Sequence, residues 1–500
     1  MKKAKRTCRG LLFVFSSTLV IGLGAMVVLE ANSNAVDNYL GTQSTIIETT
    51  DDGTLYSAFT PDEKLLNEDG TGNSDAIVDA HKKLGRQMSA EGSVLLKNEN
   101  NALPLEQNKA KVTLFGNHSS QLIAGAFIGH KASEGQTTKL ADALKNDGIE
   151  VNPVMTSIFD QICKDKKIAE NDYPDQPPYG DVFNGNEATI AEITAKNASF
   201  RDSYRDYGDA AIVVLSRASS EGLDYSKDPS LSDPSQGITN PMQLTKDEKA
   251  LIKEAEDNFD KVVVILNSVS MMEIDELKND PKVDSILWMG IAGNYGADGV
   301  ADILSGKVSP SGHLTDVYAK NSLSAPAMMN FGDYSYANPD SDFTRVPTSG
   351  KNNKYVVEAE GIYTGYRYYE TRYYDLVKGQ GNANGKAGSS NGQAWDYKNE
   401  ISYPFGYGLS YTTFEQTINK AQITGKKGPH EMIITLSVDV TNTGKVPGKS
   451  VVQVYGHAPY ENGQVEKSAI QLVGFNKTKV LEPGEKQTLT IDVDLQNLAS

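Results

Sequence analysis

Cysteine is almost absent from this chain of 500 residues, which contains only Cys8 and Cys163. A fold held together by disulfides is therefore excluded, and so is a structural zinc site built from cysteines. Cys163 is expected to be a small, buried apolar side chain. The six histidines are scattered without the spacing of metal ligands, so the sequence predicts no metal site.

Positive charge is also scarce, since 48 Lys and Arg face 65 Asp and Glu and leave a formal net charge of −17. An acidic folded part repels phosphates, which excludes nucleic acid as an expected partner. An equally good explanation is that the excess of acidic residues simply keeps an exported protein soluble. Gly290, Gly293, Gly296 and Gly299 recur every third residue, which matches neither a dinucleotide-binding motif nor a P-loop. The sequence therefore predicts no cofactor.

The exception to this acidic balance is the N-terminus, where a basic cytoplasmic tail is predicted at 1–10. It precedes an apolar run at 11–29, close to the roughly twenty residues that a membrane-spanning helix needs. Basic residues stay in the cytoplasm, so we predict a transmembrane helix at 11–29 and an extracellular stalk at 30–79. A signal peptide cleaved near Ala35 is the alternative. The chain is thus expected at the extracellular face of the cell membrane or secreted.

Residues 80–335 alternate short apolar runs with longer amphipathic segments. This alternation predicts an α/β domain with a mainly parallel sheet and helices on both faces. Ligands of such sheets bind outside the carboxyl ends of the strands, so the loops after Leu215, Leu266 and Met289 form the candidate site. Buried strands are predicted at 112–116, 210–215, 262–266 and 283–288, and helices at 137–148, 245–259 and 296–304.

The last third of the chain contains two further regions. Residues 336–413 form a Tyr/Gly-rich connecting segment with six tyrosines between Tyr363 and Tyr374. We expect these tyrosines to pack this segment against a neighbouring domain rather than to stack on sugar rings. From residue 414 the apolar period drops to two. Residues 414–500 are therefore predicted to form a small all-β sandwich.

Glu221 is the strongest candidate for a catalytic residue, because it lies on a loop at 216–225 that follows a buried strand. A partly desolvated carboxylic acid there can keep its proton near neutral pH and deliver it to a leaving oxygen. Physical chemistry alone favours a simpler interpretation, an acidic surface loop. Ser219 and Ser220 lack a nearby histidine that could activate them, so acyl transfer is not expected.

Six segments occur in this order along the chain: EGSVLLKNENNALPL (91–105), AAIVVLSRASSEGLDYS (210–226), GVADILSGKVSPSGHL (299–314), EGIYTGYRYYETRYYD (360–375), YPFGYGLSYTTF (403–414) and VTNTGKVPGKSVVQVY (440–455). Together they closely resemble glycoside hydrolase family 3, and in particular its members with a permuted domain order. The resemblance implies an (α/β)6-type sandwich followed by a fibronectin-III-like domain, and a β-glucosidase-like hydrolase that retains the anomeric configuration.

Site residues follow from this resemblance position by position. Glu221 matches the family's proton donor, and Arg217, Asp224 and Ser133 are the candidate substrate-binding residues. Tyr225 stands where the family usually has an arginine, and the loop that contains Ser133 replaces a Gly/Ser-rich loop of many members. The substrate class implied is an oligosaccharide or other β-glycoside with a terminal non-reducing β-D-glycosyl residue.

The second catalytic group is not recognised in this sequence. The family's nucleophile is an aspartate in a barrel domain, and neither its motif nor the Lys-His pair of the barrel is found. We therefore expect Glu221 to supply one half of the catalytic pair, the barrel to be missing, and the chain alone to be inactive. The alternative is a non-catalytic, membrane-anchored carbohydrate-binding or interaction module.

Overall fold

In the computed structural model of this chain, the described residues are 48–49, 55–56, 63–65, 73–124, 137–166, 168, 187–217, 233–291, 293–330, 334–335, 354–383, 394–426, 432–461 and 463–498. They divide into two compact units, residues 1–80 and 81–500. In the first unit, β1 (Glu48–Thr49) pairs with β2 (Leu55–Tyr56), and a 3-10 helix covers Glu63–Leu65. Helix α1 (Ser74–Gly92) contains the boundary between the units.

The second unit is built around a six-stranded sheet. Its strands are β3 (Val94–Asn98), β4 (Lys111–Phe115), β5 (Glu150–Val151), β6 (Ala210–Arg217), β7 (Val262–Ser268) and β8 (Ser285–Trp288). Their order is β3-β8-β7-β6-β4-β5, with β3 antiparallel to β8 and the other described neighbours parallel. The prediction of a mainly parallel sheet is therefore confirmed.

Helices cover both faces of this sheet. They are α2 (Asn117–Ser120), α3 (Leu140–Asn146), α4 (Pro153–Lys166), α5 (Ile190–Lys196), α6 (Lys246–Asn258), α7 (Asp275–Asn279) and α8 (Gly296–Leu304), with a 3-10 helix at Phe200–Asp206. Val213 of β6 lies in one apolar core with residues of α4 and α6, whereas Ile212 and Val214 lie in a second core with α3 and α8. Burial on both faces explains why β6 reads as a continuous apolar run rather than an alternating one.

The prediction for Cys163 is confirmed, whereas the prediction for residues 11–29 is not tested. Cys163 lies on α4 and is buried as predicted, and its thiol donates to the backbone carbonyl of Asn117. The predicted transmembrane helix at 11–29 falls outside the described residues and stays a prediction. Among the residues that are described, no helix has both the length and the apolar composition needed to cross a membrane.

The tyrosine-rich region contains a helix that the sequence did not predict. Tyr363, Tyr368 and Tyr369 are buried there in a small core with Trp395. The elements from residue 318 to residue 403 are β9 (Tyr318–Ala319), a 3-10 helix at Ser322–Ser324, α9 (Pro326–Asn330), β10 (Tyr334–Ser335), β11 (Lys354–Tyr355), α10 (Tyr366–Lys378), α11 (Tyr397–Glu400) and β12 (Ile401–Tyr403). Strand β9 pairs antiparallel with β12, and β10 pairs antiparallel with β11.

The C-terminal region is a two-sheet β structure. Its strands are β13 (Phe414–Lys426), β14 (Met432–Asn442), β15 (Val451–Gly456), β16 (Gln471–Lys477) and β17 (Lys486–Asp494), and a 3-10 helix covers Leu495–Leu498. One sheet has the order β13-β14-β17, and the other pairs β15 with β16. Alternate residues such as Leu489, Ile491 and Val493 enter a shared core, which is the origin of the period of two.

Helix α10 attaches this β region to the rest of the unit. The hydroxyl of Tyr366 accepts a hydrogen bond of 2.9 Å from the backbone N–H of Leu472. The ring of Tyr374 stacks on that of His457 with 5.2 Å between centroids. The tyrosines therefore pack one region against the next, which was the favoured interpretation of their density.

Gly299 allows α8 to lie directly on α1, and this contact is testable. A Cβ at residue 299 would lie 2.3 Å from the carbonyl oxygen of Arg86 and 2.6 Å from the amide nitrogen of Ala90, both of them backbone atoms of α1. We expect Gly299→Ala to lower the free energy of unfolding by about 1–3 kcal/mol, because the helices must separate. Urea unfolding measures the loss.

Gly92→Ala is the matched control for this substitution. Gly92 is the last residue of α1, and a Cβ there would meet no atom within 4 Å. The control should be neutral or stabilising by up to about 1 kcal/mol, since alanine is the better helix former. Equal unfolding midpoints for the two variants would contradict the close helix contact.

Candidate active site

The carboxyl ends of β4, β6, β7 and β8 meet at one side of the sheet, because these strands are parallel neighbours. Ser216 pairs with Asn267 and Arg217 with Ser268, so β6 and β7 end at the same level. We call this side the carboxyl edge. The loops after β6, β7 and β8 leave from it, as the sequence predicted for the candidate site.

Three of the four predicted site residues lie outside the described residues. They are Ser133, Glu221 and Asp224, and their roles stay predictions. We call residues 218–232, which contain Glu221 and Asp224, the acid loop, and residues 125–136, which contain Ser133, the serine loop. The fourth residue, Arg217, is the last described residue before the acid loop.

Arg217 is buried completely, with no exposed side-chain surface. Its guanidinium donates to the backbone carbonyls of Ser216, Pro241 and Gln243 and to both carboxylate oxygens of Glu248, the latter at 2.6 and 2.9 Å. These acceptors precede and follow the acid loop in the sequence, so Arg217 connects the end of β6 with Pro241, Gln243 and Glu248. The structure gives Arg217 a positioning role, and its predicted contact with substrate stays a prediction.

Glu248 reaches Arg217 because the local sequence places it in the first turn of α6. Thr245 accepts a hydrogen bond from the backbone N–H of Glu248, and the carboxylate of Glu248 accepts one from the backbone N–H of Thr245. The spacing of the two residues in the sequence is that of a capping box. The ion pair with Arg217 has no such pattern, because nothing in the sequence relates residues 217 and 248. The start of α6 is thereby attached to the end of β6.

Glu187 is a second buried carboxyl group near the carboxyl edge. It accepts hydrogen bonds of 2.8 and 2.7 Å from the backbone N–H groups of Asn117 and Ala188, and Asn117 follows β4 closely. Burial raises the pKa of Glu187 to about 8, and the negative charge of Glu248 acts in the same direction. The two N–H groups oppose this shift because they favour the ionised form. No sequence pattern singles out this residue.

Asn267 is a third polar side chain at this edge that sequence reasoning did not name. It is wholly buried at the end of β7, and its carboxamide bonds to Ile123 and Gly290, which lie in two other loops. The available signal was an Asn-Ser pair closing the apolar run of β7. Within the described residues, no group of three or more His, Cys, Asp or Glu side chains is arranged to hold a metal ion.

Two family profiles match the chain. The profile of the Glycosyl hydrolase family 3 C-terminal domain matches residues 93–411, and that of the Fibronectin type III-like domain matches residues 450–500. The first match includes the tyrosine-rich region as well as the six-stranded sheet. The second covers β15, β16 and β17 of the C-terminal β structure.

Curated relatives and solved structures agree with these profiles. β-Glucosidase A of Butyrivibrio fibrisolvens is 31% identical over 445 residues, which cover 84% of this chain and 46% of that protein. A β-glucosidase of Ruminococcus albus is 32% identical over 418 residues, covering 83% of this chain and 36% of that protein. The chain therefore spans less than half the length of either relative.

Two solved structures show the same architecture. A β-glucosidase from Paenibacillus barengoltzii superposes with a TM-score of 0.63 at 26% identity, over 83% of this chain and 38% of that one. β-Glucosidase 3B from Thermotoga neapolitana, in complex with glucose, gives a TM-score of 0.59 at 29% identity, over 84% and 50%. Both superpositions leave half or more of the solved chain unmatched.

The buried ion pair at the base of the acid loop is open to a direct test of stability. Arg217→Met should lower the free energy of unfolding by about 3–5 kcal/mol, because it leaves the charge of Glu248 buried without its partner. Denaturant unfolding measures this loss. Arg205→Met is the control, since Arg205 pairs with Asp206 at 3.5 Å and the two side chains are 85% and 66% exposed.

We expect the control to cost about 1 kcal/mol or less, because water solvates an exposed pair. A loss of similar size in both variants would show that burial does not set the cost. If Arg217→Met left the free energy of unfolding nearly unchanged, the ion pair would not be what anchors the residues on either side of the acid loop.

The buried carboxyl group of Glu187 predicts a dependence of stability on pH. Its pKa in the folded state, about 8, lies above its ordinary value of 4.5, so the folded protein holds the proton more tightly than the unfolded chain. This contribution is fully present below about pH 4.5 and is lost as the pH rises toward 8. Glu187→Gln stays uncharged, so its stability relative to wild type should grow across that interval.

Unfolding by urea at a series of pH values measures the difference. Glu106→Gln provides the control, because it removes one carboxylate that is 68% exposed. Its stability relative to wild type should stay nearly constant across the same interval. A constant difference for Glu187→Gln as well would contradict the raised pKa.

Proposed function

Because the chain belongs to glycoside hydrolase family 3, we propose that it forms part of a retaining β-glycosidase and supplies the general acid/base through Glu221. The observation that carries this proposal is the origin of the acid loop. It follows β6 at the carboxyl edge, where α/β sheets bind ligands, and Arg217, the residue before it, is anchored to Pro241 and Gln243 further along the chain. The naming of the relatives as β-glucosidases supports a β-glucoside as substrate.

The proposed chemistry proceeds in two steps. In the first, Glu221 gives its proton to the glycosidic oxygen while that oxygen leaves the anomeric carbon, and an aspartate carboxylate forms the new bond to that carbon. In the second, the Glu221 carboxylate takes a proton from water as the water oxygen displaces the aspartate. Retaining enzymes hold the two carboxyl groups about 5–5.5 Å apart. The aspartate is proposed to come from a barrel domain, whose motifs are not found in these 500 residues.

The described residues would serve this chemistry by fixing where the acid stands. Arg217 anchors the residue from which the acid loop starts to Pro241 and Gln243, which limits the region that Glu221 can reach. Correct placement matters because a misplacement of about 1 Å can cost on the order of a hundredfold in rate. The buried ion pair with Glu248 is rigid enough for this purpose, since each of its members would be strongly destabilised if it moved away from the other.

The place of action is proposed from the N-terminus alone. The basic residues at 1–10 and the apolar run at 11–29 support export, with the remainder of the chain outside the cell. A protease added to intact cells should then degrade the folded part while cytoplasmic proteins survive. Protection of the chain until the cells are lysed would overturn this proposal.

The acid/base role of Glu221 predicts a specific pattern of loss and rescue. The 500-residue chain alone should not hydrolyse nitrophenyl β-glucoside. When combined with the barrel domain of a permuted family member, Glu221→Ala should lose about 10²–10⁴-fold in kcat, the usual contribution of a general acid/base. Added azide should restore turnover of dinitrophenyl β-glucoside and yield β-glucosyl azide, because this anion attacks without needing a base.

Glu106→Ala is the control, since it removes an exposed carboxylate of the same type. It should leave kcat unchanged. Hydrolysis by the 500 residues alone, or full activity of Glu221→Ala, would overturn the proposed division of labour. Sugar binding without hydrolysis in any combination would favour the alternative, a carbohydrate-binding module.

A further inference from the structure

The side chain of Asn267, at the end of β7, connects two loops at the carboxyl edge with the end of β6. Its Oδ1 accepts a hydrogen bond of 2.7 Å from the backbone N–H of Ile123. Its Nδ2 donates to the carbonyl of Ile123 at 3.1 Å and to the carbonyl of Gly290 at 2.7 Å. The hydroxyl of Ser216 approaches the same Oδ1 at 3.4 Å. The carboxamide is wholly buried, so water does not compete for these contacts.

The contact with Ile123 is informative because of the strand order. Ile123 lies in the segment that follows β4, yet it binds the end of β7, and β6 lies between these two strands. Residues 116–123 must therefore cross the carboxyl end of β6. A Cβ at Gly116 would lie 2.5 Å from the carbonyl oxygen of Val214, which shows how closely this segment passes over β6.

This crossing brings the starting points of two loops together. The serine loop begins two residues after Ile123, and the acid loop begins directly after Arg217 at the end of β6. Ile123 is attached to Asn267, whose ladder partner on β6 is Ser216. Asn267 therefore stands at the point from which both loops diverge, and Gly290 brings the loop after β8 to the same point.

We propose that Asn267 is a positioning residue, which holds Ile123 and Gly290 beside the end of β6, where the chain enters the acid loop, and so helps to set the direction in which Glu221 faces the substrate. The orientation of Glu221 rests on the proposed function, whereas the clamp itself does not. Loss of the clamp would leave the ion pair of Arg217 in place but would release Ile123 and Gly290 from the end of β7.

An asparagine suits this position because both a donor and an acceptor are needed. Aspartate has the same shape but would place negative charge against the carbonyls of Ile123 and Gly290. Alanine would leave one N–H and two carbonyls without this partner in a buried place, where unsatisfied polar groups are costly. The two substitutions therefore break the clamp by different routes, and one of them preserves the packing volume.

The first experiment uses the 500-residue chain and needs no activity. Hydrogen–deuterium exchange would be compared for wild type, Asn267→Ala and Asn267→Asp. We expect exchange at residues 121–124 and 288–291 to rise by about tenfold or more, while β6 and β7 stay protected. Asn152→Ala is the matched control, because Asn152 is an equally buried asparagine with four hydrogen bonds that hold α4 and Ser203 instead.

The control should leave exchange at both segments as in wild type. Unchanged exchange in a folded Asn267 variant, or an equal rise in the control, would overturn the clamp. If Asn267→Ala does not fold, Asn267→Asp decides the question alone. If neither variant folds, Asn267 is required for the fold as a whole, and this result would also overturn a role limited to loop position.

The second experiment tests the link to Glu221 in the chain combined with the barrel domain. A misplaced acid affects substrates whose leaving group needs a proton, so kcat/KM for cellobiose should fall about 10- to 100-fold in the Asn267 variants. For dinitrophenyl β-glucoside, whose leaving group needs no proton, kcat/KM should change less than about threefold. An equal fall for both substrates would indicate general damage and overturn the positioning role.

The two experiments separate the two proposals. If the wild-type combination hydrolyses neither substrate, the proposed function fails, and the exchange experiment still decides whether Asn267 clamps the loops. If the exchange result is as expected but the two substrates respond equally, the clamp stands and its link to Glu221 is overturned.

Discussion

The ion pair between Arg217 and Glu248 is the interaction on which the carboxyl edge depends. Removing two charges from water costs several kcal/mol for each, and their attraction offsets this only when the geometry is good and the remaining hydrogen bonds are made. Both conditions hold, because the guanidinium also binds three backbone carbonyls and the carboxylate also caps α6. The end of β6, the return of the acid loop and the start of α6 are consequently one connected structure.

The same edge shows how the sheet combines stability with a polar site. β6 and β7 are apolar until their last two residues, which are Ser216-Arg217 and Asn267-Ser268, and the two polar pairs lie side by side in the ladder. The apolar part of each strand stabilises the two cores, while the polar pair serves the loops. Buried polar groups are tolerated there because each finds a hydrogen-bond partner in a neighbouring strand, loop or helix. A site at the strand ends therefore leaves the cores apolar.

Prediction from sequence succeeded where a local pattern carries the structure and failed where it does not. The strand at β6 and the capping box of α6 follow from a continuous apolar run and from the spacing of Thr245 and Glu248. Helix α10 was missed because it begins after Gly365 without a side-chain cap. Its tyrosines stabilise the helix only through packing in a core that the local sequence does not show. No sequence pattern marks Glu187 as buried, since one of its hydrogen-bond donors is the backbone N–H of Asn117, seventy residues earlier in the chain.

The sequence by itself determined the order of the elements, the mainly parallel sheet, the β region at the C-terminus and the family, because these depend on periodicity, caps and motifs that are contiguous in the chain. The tertiary structure decided what the buried polar side chains do. Arg217, named from its motif as a substrate contact, connects the end of β6 to the residues that precede α6 and to α6 itself. Asn267, not named at all, connects two loops at the strand ends. Such roles depend on which carbonyl or amide lies within hydrogen-bond distance, and only the packing of distant segments sets that distance.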